Sequence, residues 1–132
     1  MVKRSLSVAI FAFIGGIARL FLQNISNNIL GQTLTATILI NILGAFLLGL
    51  LSGGLLTRFS PSEPLNVGLT TGLMGGFTTF SSFELDTDKT LIAHHLGISG
   101  MYFVGTILVG IIFAVIGRKI GEYILSKGAD WE

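Results

Sequence analysis

Residues 20–57 carry no charged side chain, and neither do residues 64–83 or 96–117. About 20 apolar residues in a helix cross a bilayer core, so these runs are long enough to be membrane spans and the polar punctuation between them marks the turns. The pattern predicts a first helix over about 4–24, ending in the polar stretch Asn24, Ser26, Asn27, Asn28, Gly31 and Gln32. A second helix is expected over about 33–56, closed by Arg58 and the segment SPSEP, where Pro61 and Pro64 cannot continue it. A third is expected from near Leu65 to about His94, and a fourth over roughly 97–124, followed by the polar tail SKGADWE. The first run follows Lys3 and Arg4 as a signal peptide would, but it continues to about Asn24 without a convincing small-residue cleavage site and reads as a retained helix.

Composition agrees with the pattern. Of 132 residues, 51% are hydrophobic and 11% charged, with a mean hydropathy of +0.81, whereas soluble domains are about 25% charged. The expected class is an all-α membrane protein, with residues 1–132 forming a single domain of four transmembrane helices. Cysteine is absent, which removes disulfides, thiolate metal sites and a cysteine nucleophile. A net charge of +1 without a basic cluster offers nothing to nucleic acid.

Charge placement orients the chain. Lys3, Arg4, Arg58, Arg118, Lys119 and Lys127 fall on the side of the termini and the middle loop, and only Lys89 falls on the other. By the positive-inside rule both termini face the cytoplasm. Glycines recur at four-residue spacing, at 68, 72 and 76, at 49 and 53, and at 117 and 121. Such small-residue stripes let helix backbones approach in lipid. Four short helices with this many contact stripes point to an oligomer, most simply a dimer.

The polar residues inside the spans carry the candidate chemistry. Arg19 must snorkel, pair, or line an aqueous cavity where it could attract anions, because a central arginine costs at least about 2.5–3.5 kcal/mol to insert. Thr33, Thr37 and Asn41 are spaced by four and share one helical face, as interhelical glue or as a donor-lined path. Tyr102 and Thr106 repeat the spacing, although Gly110 and Ala114 continue their row without donors. In the third span Gly75 and Gly76 weaken helical continuity, and Thr78 and Thr79 can bond backbone groups locally, so a break is expected here. A break at membrane depth is tolerated where the freed backbone is buried or serves a cavity or ion; freed carbonyls suit a hard cation, and freed amides or hydroxyls an anion. Phe80 and Phe83 follow three residues apart with Ser81 and Ser82 between them. Their rings could pack ordinarily or offer positive edges to an anion.

The segment GLTTGLMGGFTTFSSFELD strongly resembles the third-helix signature of the Fluc (CrcB) fluoride channels. GGIARL, ending near Arg19, is similar to that family's first-helix segment, and ATILINILGAFLLG to its second-helix pattern. The resemblance implies an antiparallel, dual-topology dimer with two passive fluoride pores. It implies that Phe80 and Phe83 coordinate fluoride through ring edges, each facing a different pore, and that Asn41 is the pore asparagine. Ser81, Ser82 and Thr106 match hydroxyls beside the ion path, and Tyr102 matches a fourth-helix tyrosine. Gly75 and Thr78 match a break whose carbonyls, from both subunits, hold a structural sodium ion.

The sequence departs from the family pattern in three places. Asp86 stands where glutamate is usual, Gly110 and Ala114 stand where hydroxyls are common, and the charge bias is stronger than a chain inserting both ways should carry. The bias favours one fixed orientation and a partner that is an oppositely oriented homologue. The rival readings are a small four-helix multidrug-type transporter and a non-conducting accessory subunit. The first lacks its carboxylate, since no Asp or Glu precedes Glu63. An enzyme is not expected: adjacent His94 and His95 point to different helix faces and make no two-ligand metal site.

Overall fold

The computed structural model describes residues 1–31, 33–59, 61–93 and 95–129, which form helices and short turns with no strand among them. Helix α1 spans Val2–Leu30, α2 Thr33–Leu50, and α2 passes through a wide π-helical turn, Leu51–Leu55, into α3, Leu56–Phe59. After the loop come α4, Glu63–Val67, a second π-helical turn, Gly68–Leu73, and α5, Met74–Phe77. Helix α6, Phe80–Ile92, and helix α7, Leu96–Ala129, complete the chain. His94 and the end of the tail, residues 130–132, lie outside the described residues, as does the side chain of Thr33.

Three stretches are long and apolar enough to cross a membrane as continuous helices, Val2–Ile29, Thr35–Leu55 and Leu96–Lys127. The expected third span is instead assembled from α4, the second π turn, α5 and α6, and it is broken as the sequence suggested. The break falls on the threonines, not the glycines: Gly75 and Gly76 stay helical within α5, while Thr78 (ψ 155) and Thr79 (φ −140, ψ 118) are extended.

Two boundaries differ from expectation for physical reasons. Helix α1 does not stop at Asn24, since the polar residues 24–28 remain helical and the terminator is Gly31. At φ 64 it takes the left-handed cap that glycine adopts without steric cost, and its N–H closes on the Asn27 carbonyl. The 29 residues of α1 therefore extend about 43 Å at 1.5 Å per residue, beyond a core about 30 Å thick. Pro64 belongs to the first turn of α4, where its missing N–H costs nothing, rather than terminating the preceding helix.

Backbone contact builds the two seams of the protomer. Along α2 and α7, a β-carbon on Gly49 would strike the Ala114 carbonyl and one on Gly53 the Arg118 carbonyl. From the other side Gly117 faces the Phe46 carbonyl and Gly121 that of Leu50. Helix α1 meets the segmented span in the same manner, with Gly15 against the Leu73 carbonyl and Gly76 against that of Ala12. The glycine stripes thus act as packing surfaces, as the spacing suggested. Large apolar side chains such as Phe13, Phe21, Ile111 and Ile112 cover the outside, as lipid solvent requires.

Candidate functional site

The break takes backbone groups of Thr78 and Thr79 out of the helical pattern. In an unbroken helix the Thr79 N–H would bond the Gly75 carbonyl. Here it bonds Asn41 Oδ1 at 2.9 Å, while Asn41 Nδ2 donates to the Thr79 carbonyl at 3.0 Å. One carboxamide on α2 therefore engages the N–H and the carbonyl of Thr79, one polar group from each of the two peptide units that flank it. The Thr78 N–H and hydroxyl both donate to the Met74 carbonyl, at 2.9 and 3.0 Å. The Gly75 carbonyl loses its helical donor.

Thr79 then starts α6. Its hydroxyl accepts from the Ser82 N–H at 3.2 Å, as an N-cap does. The same oxygen donates to Ser82 Oγ at 3.1 Å and lies 3.3 Å from Ser81 Oγ. The N-terminal positive end of α6 and three hydroxyls are thereby gathered just past the break. Thr79 was not among the expected site residues. Its signal was available, since Ser or Thr directly before a helical run is an N-cap preference.

Beside the break lies a cavity of about 370 Å³, lined among others by Asn41, Phe80, Phe83, Thr106 and Gly110. Four expected pore residues meet here from α2, α6 and α7. The rings of Phe80 and Phe83 are 6.0 Å apart and tilted by 50°. Their environments are opposite: Phe83 is 4% exposed and Phe80 70%. Phe83 is held between Tyr102 and Phe103, at 5.2 and 5.3 Å between centroids; Phe103 was not anticipated, and its neighbour Tyr102 gave the only hint. Thr106 is anchored to the Tyr102 carbonyl through its hydroxyl at 2.6 Å. That hydrogen is used, but the oxygen can still accept.

The remaining expected residues stand in other places. Thr37, fully buried, donates to Asp86 Oδ2 at 2.8 Å, and Asp86 is itself only 4% exposed. The aspartate thus reaches the second-helix hydroxyl despite being shorter than glutamate, and neither ion pair among the described residues involves it. The Tyr102 hydroxyl is buried and finds no hydrogen-bond partner among the described residues. Arg19 is half-buried on α1, its Nε also without a hydrogen-bond partner, and it lines neither this cavity nor the next one described. Gly75 and Thr78 line a separate cavity of about 390 Å³ with Gly44, Thr70, Thr71 and Met74. A β-carbon on Gly75 would meet nothing within 4 Å, so the backbone there is openly presented.

Chemically, the first cavity offers weak partners for a small anion: one carboxamide N–H that the Thr79 carbonyl does not use and two ring edges, with the Ser81 and Ser82 hydroxyls between those rings in sequence. It contains no fixed charge among its lining residues. A family model described as CrcB-like protein, Camphor Resistance (CrcB), matches residues 6–118. The protein named Fluoride-specific ion channel FluC 1 of Lactobacillus delbrueckii subsp. bulgaricus is 40% identical over 126 residues, 96% of this chain and 94% of its own length. Its namesake in Lactobacillus johnsonii is 40% identical across 97% of this chain and 95% of its own. Fluoride-specific ion channel FluC of Ruminiclostridium cellulolyticum is 37% identical over 89% and 88%, respectively. With the family model matching residues 6–118 and relatives of 37–40% identity spanning most of the chain, this chain belongs to the CrcB-like family.

Proposed function

We propose that this protein is a passive, fluoride-selective channel that lets fluoride leave the cytoplasm across the cell membrane, and that it is not an enzyme. The observation that carries the reading is the convergence of Asn41, Phe80, Phe83 and Thr106 on one uncharged cavity beside a broken helix. Fluoride is small and strongly hydrated, so a pore must replace its water with several donors, each weak enough to release the ion. Ring edges, a carboxamide and hydroxyls meet that requirement; a cluster of arginines would hold the ion. Ser81 and Ser82 at the start of α6 extend the hydroxyl lining, with Thr37 and Tyr102 farther along the path. Arg19 and Asp86 act at the vestibule or in support of it.

The working unit of this proposal is an antiparallel dimer in which four spans per chain cross the membrane. Its support is the contrast between the two rings: Phe83 is enclosed by its own chain, while Phe80 protrudes 70% exposed, as a ring destined for a pore shared with a partner would. Sodium at the dimer centre would be held by the Gly75 and Thr78 carbonyls. The residues fit a hard cation, because Asn41 has taken the donor that the Gly75 carbonyl would otherwise have and no β-carbon shields that backbone. Such an ion would supply positive charge against anion repulsion and tie the two chains together.

Orientation follows from charge. Arg4 pairs with Glu63, Arg58 donates to the Ile124 carbonyl and Arg118 pairs with Glu122, so the arginines of the termini side are tied into the helices at that end. The imbalance of six basic residues to one favours a fixed orientation, both termini cytoplasmic, and an oppositely oriented homologue as partner. Fluoride efflux from liposomes, compared with chloride, tests the reading, first with this chain alone and then with such a homologue. Phe80→Ile and Phe83→Ile are expected to abolish flux in an assembled dimer; unaltered flux in both overturns the pore assignment. A conducting dimer of this chain alone overturns the heterologous pairing.

A further inference from the structure

We propose that Asn41 is the positioning residue of the pore, the group that holds the break open at one defined register, and that its direct contribution to the ion is secondary. This rests on the channel reading above but concerns a different task. Thr78 and Thr79 are both extended at membrane depth, where an unpaired N–H or carbonyl has no water to turn to. Asn41 satisfies the N–H of Thr79 with Oδ1 and its carbonyl with Nδ2, at 2.9 and 3.0 Å.

The residue type is dictated by that geometry. A planar carboxamide carries an acceptor and a donor side by side and can meet a peptide as a neighbouring strand would. Aspartate keeps the acceptor but has no donor when ionised; serine has one short oxygen; alanine has neither. Because Thr79 is also the N-cap of α6, the grip on Thr79 fixes the phase of that helix. Phe80 and Phe83, one and four residues later, face as they do in consequence. The same two hydrogen bonds keep the Thr79 N–H from reclosing on the Gly75 carbonyl, so one side chain sets both ring placement and carbonyl presentation. After these bonds a single Asn41 N–H is left for the 370 Å³ cavity, which is a small share of its hydrogen-bonding capacity.

Hydrogen exchange read by mass spectrometry on the purified, assembled channel, over peptides covering residues 78–83, separates this from an ion-ligand role. Wild type is expected to protect the Thr79 amide. Asn41→Ala should accelerate its exchange about tenfold or more, the scale of losing a buried hydrogen bond, while fluoride flux falls and chloride begins to pass. Asn41→Ser should behave like alanine. Asn41→Asp, which retains the acceptor, should keep exchange within about threefold of wild type even though its charge blocks flux. Thr106→Val, a cavity change that does not touch the break, should slow flux with no effect on exchange.

Exchange at wild-type rate in assembled Asn41→Ala, or a freely exchanging Thr79 amide in wild type, overturns the proposal. Should Asn41→Ala fail to assemble, Asn41→Asp decides: fast exchange there overturns it, protection there supports it. The exchange result is independent of which ion the wild type passes, so failure of the channel reading and failure of this inference are read separately.

Discussion

Gly15 and Gly16 are neighbours in the middle of α1 and form a matched pair for testing how the break is supported. Replacing either with alanine removes the same conformational cost of glycine in a helix, a gain of about 1 kcal/mol. The surroundings differ completely. A β-carbon on Gly16 meets nothing within 4 Å, whereas one on Gly15 runs into the Leu73 carbonyl and lies 2.9 Å from the Phe77 backbone nitrogen. Those are backbone atoms and cannot rotate away, so α1 and α5 must separate. Overpacking of this kind costs about 1–3 kcal/mol. Gly16→Ala should therefore stabilise by about 1 kcal/mol, and Gly15→Ala should end about 1–3 kcal/mol below it. Thermal unfolding of the purified assembly in detergent reads the difference, at about 2–8 °C per kcal/mol for small domains. Because Phe77 directly precedes the break, displacement of α5 should also cut fluoride flux in Gly15→Ala and leave it intact in Gly16→Ala. Equal shifts of the unfolding midpoint in the two variants would refute the claim that backbone contact at Gly15 sets the seam.

Two further substitutions probe other supports. Thr37→Val removes the hydroxyl that donates to the buried Asp86 carboxylate, at a cost of about 1–3 kcal/mol, and Thr37→Ser should recover most of it; unfolding midpoints that do not separate valine from serine would discard the interaction. Gly54 has φ 130, a backbone conformation side chains rarely adopt, at the turn where α2 is redirected. Gly54→Ala should cost about 1–3 kcal/mol of strain and lower the melting temperature accordingly, and an unchanged melt would mean that the turn relaxes without penalty.

The sequence made the three continuous spans and the break legible for a physical reason: bilayers enforce long uncharged runs, and a segment rich in glycine and threonine is suited to interrupt one. The exact point of interruption was not legible. Gly75 and Gly76 have the poorer helix propensity, yet they stay helical because Gly76 is needed flat against Ala12. The bend moves to Thr78 and Thr79, where Asn41 from another helix can satisfy the opened peptide. Propensity is local, and the deciding partner was 38 residues away in sequence. The ring pair at 80 and 83 was visible as a spacing, but its asymmetry of exposure needed the positions of Tyr102 and Phe103. The reach of α1 to Leu30 was hidden because asparagines usually signal a loop, and only the left-handed cap at Gly31 shows where the helix ends.

Accounting for polar groups across the membrane-embedded part explains why chemistry gathers at this spot. Where the chain is simply structural, its hydroxyls are used internally: Thr87 on the Phe83 carbonyl, Thr90 on the Thr87 carbonyl, Ser99 on that same carbonyl. Those bonds leave little capacity for an ion. Around Thr78 and Thr79 the accounting does not close, since the Gly75 carbonyl has lost its donor and one Asn41 N–H is unspent in a cavity. Leaving such groups open in lipid costs about 1–3 kcal/mol each, a cost a membrane protein can sustain where those groups take turns with water and a permeant ion. Asn41, with its unspent N–H, lines one cavity and Gly75, with its released carbonyl, lines another, so the same break separates a surface suited to an anion from one suited to a cation. A continuous third helix would have closed both accounts and left the rings with nothing to complement.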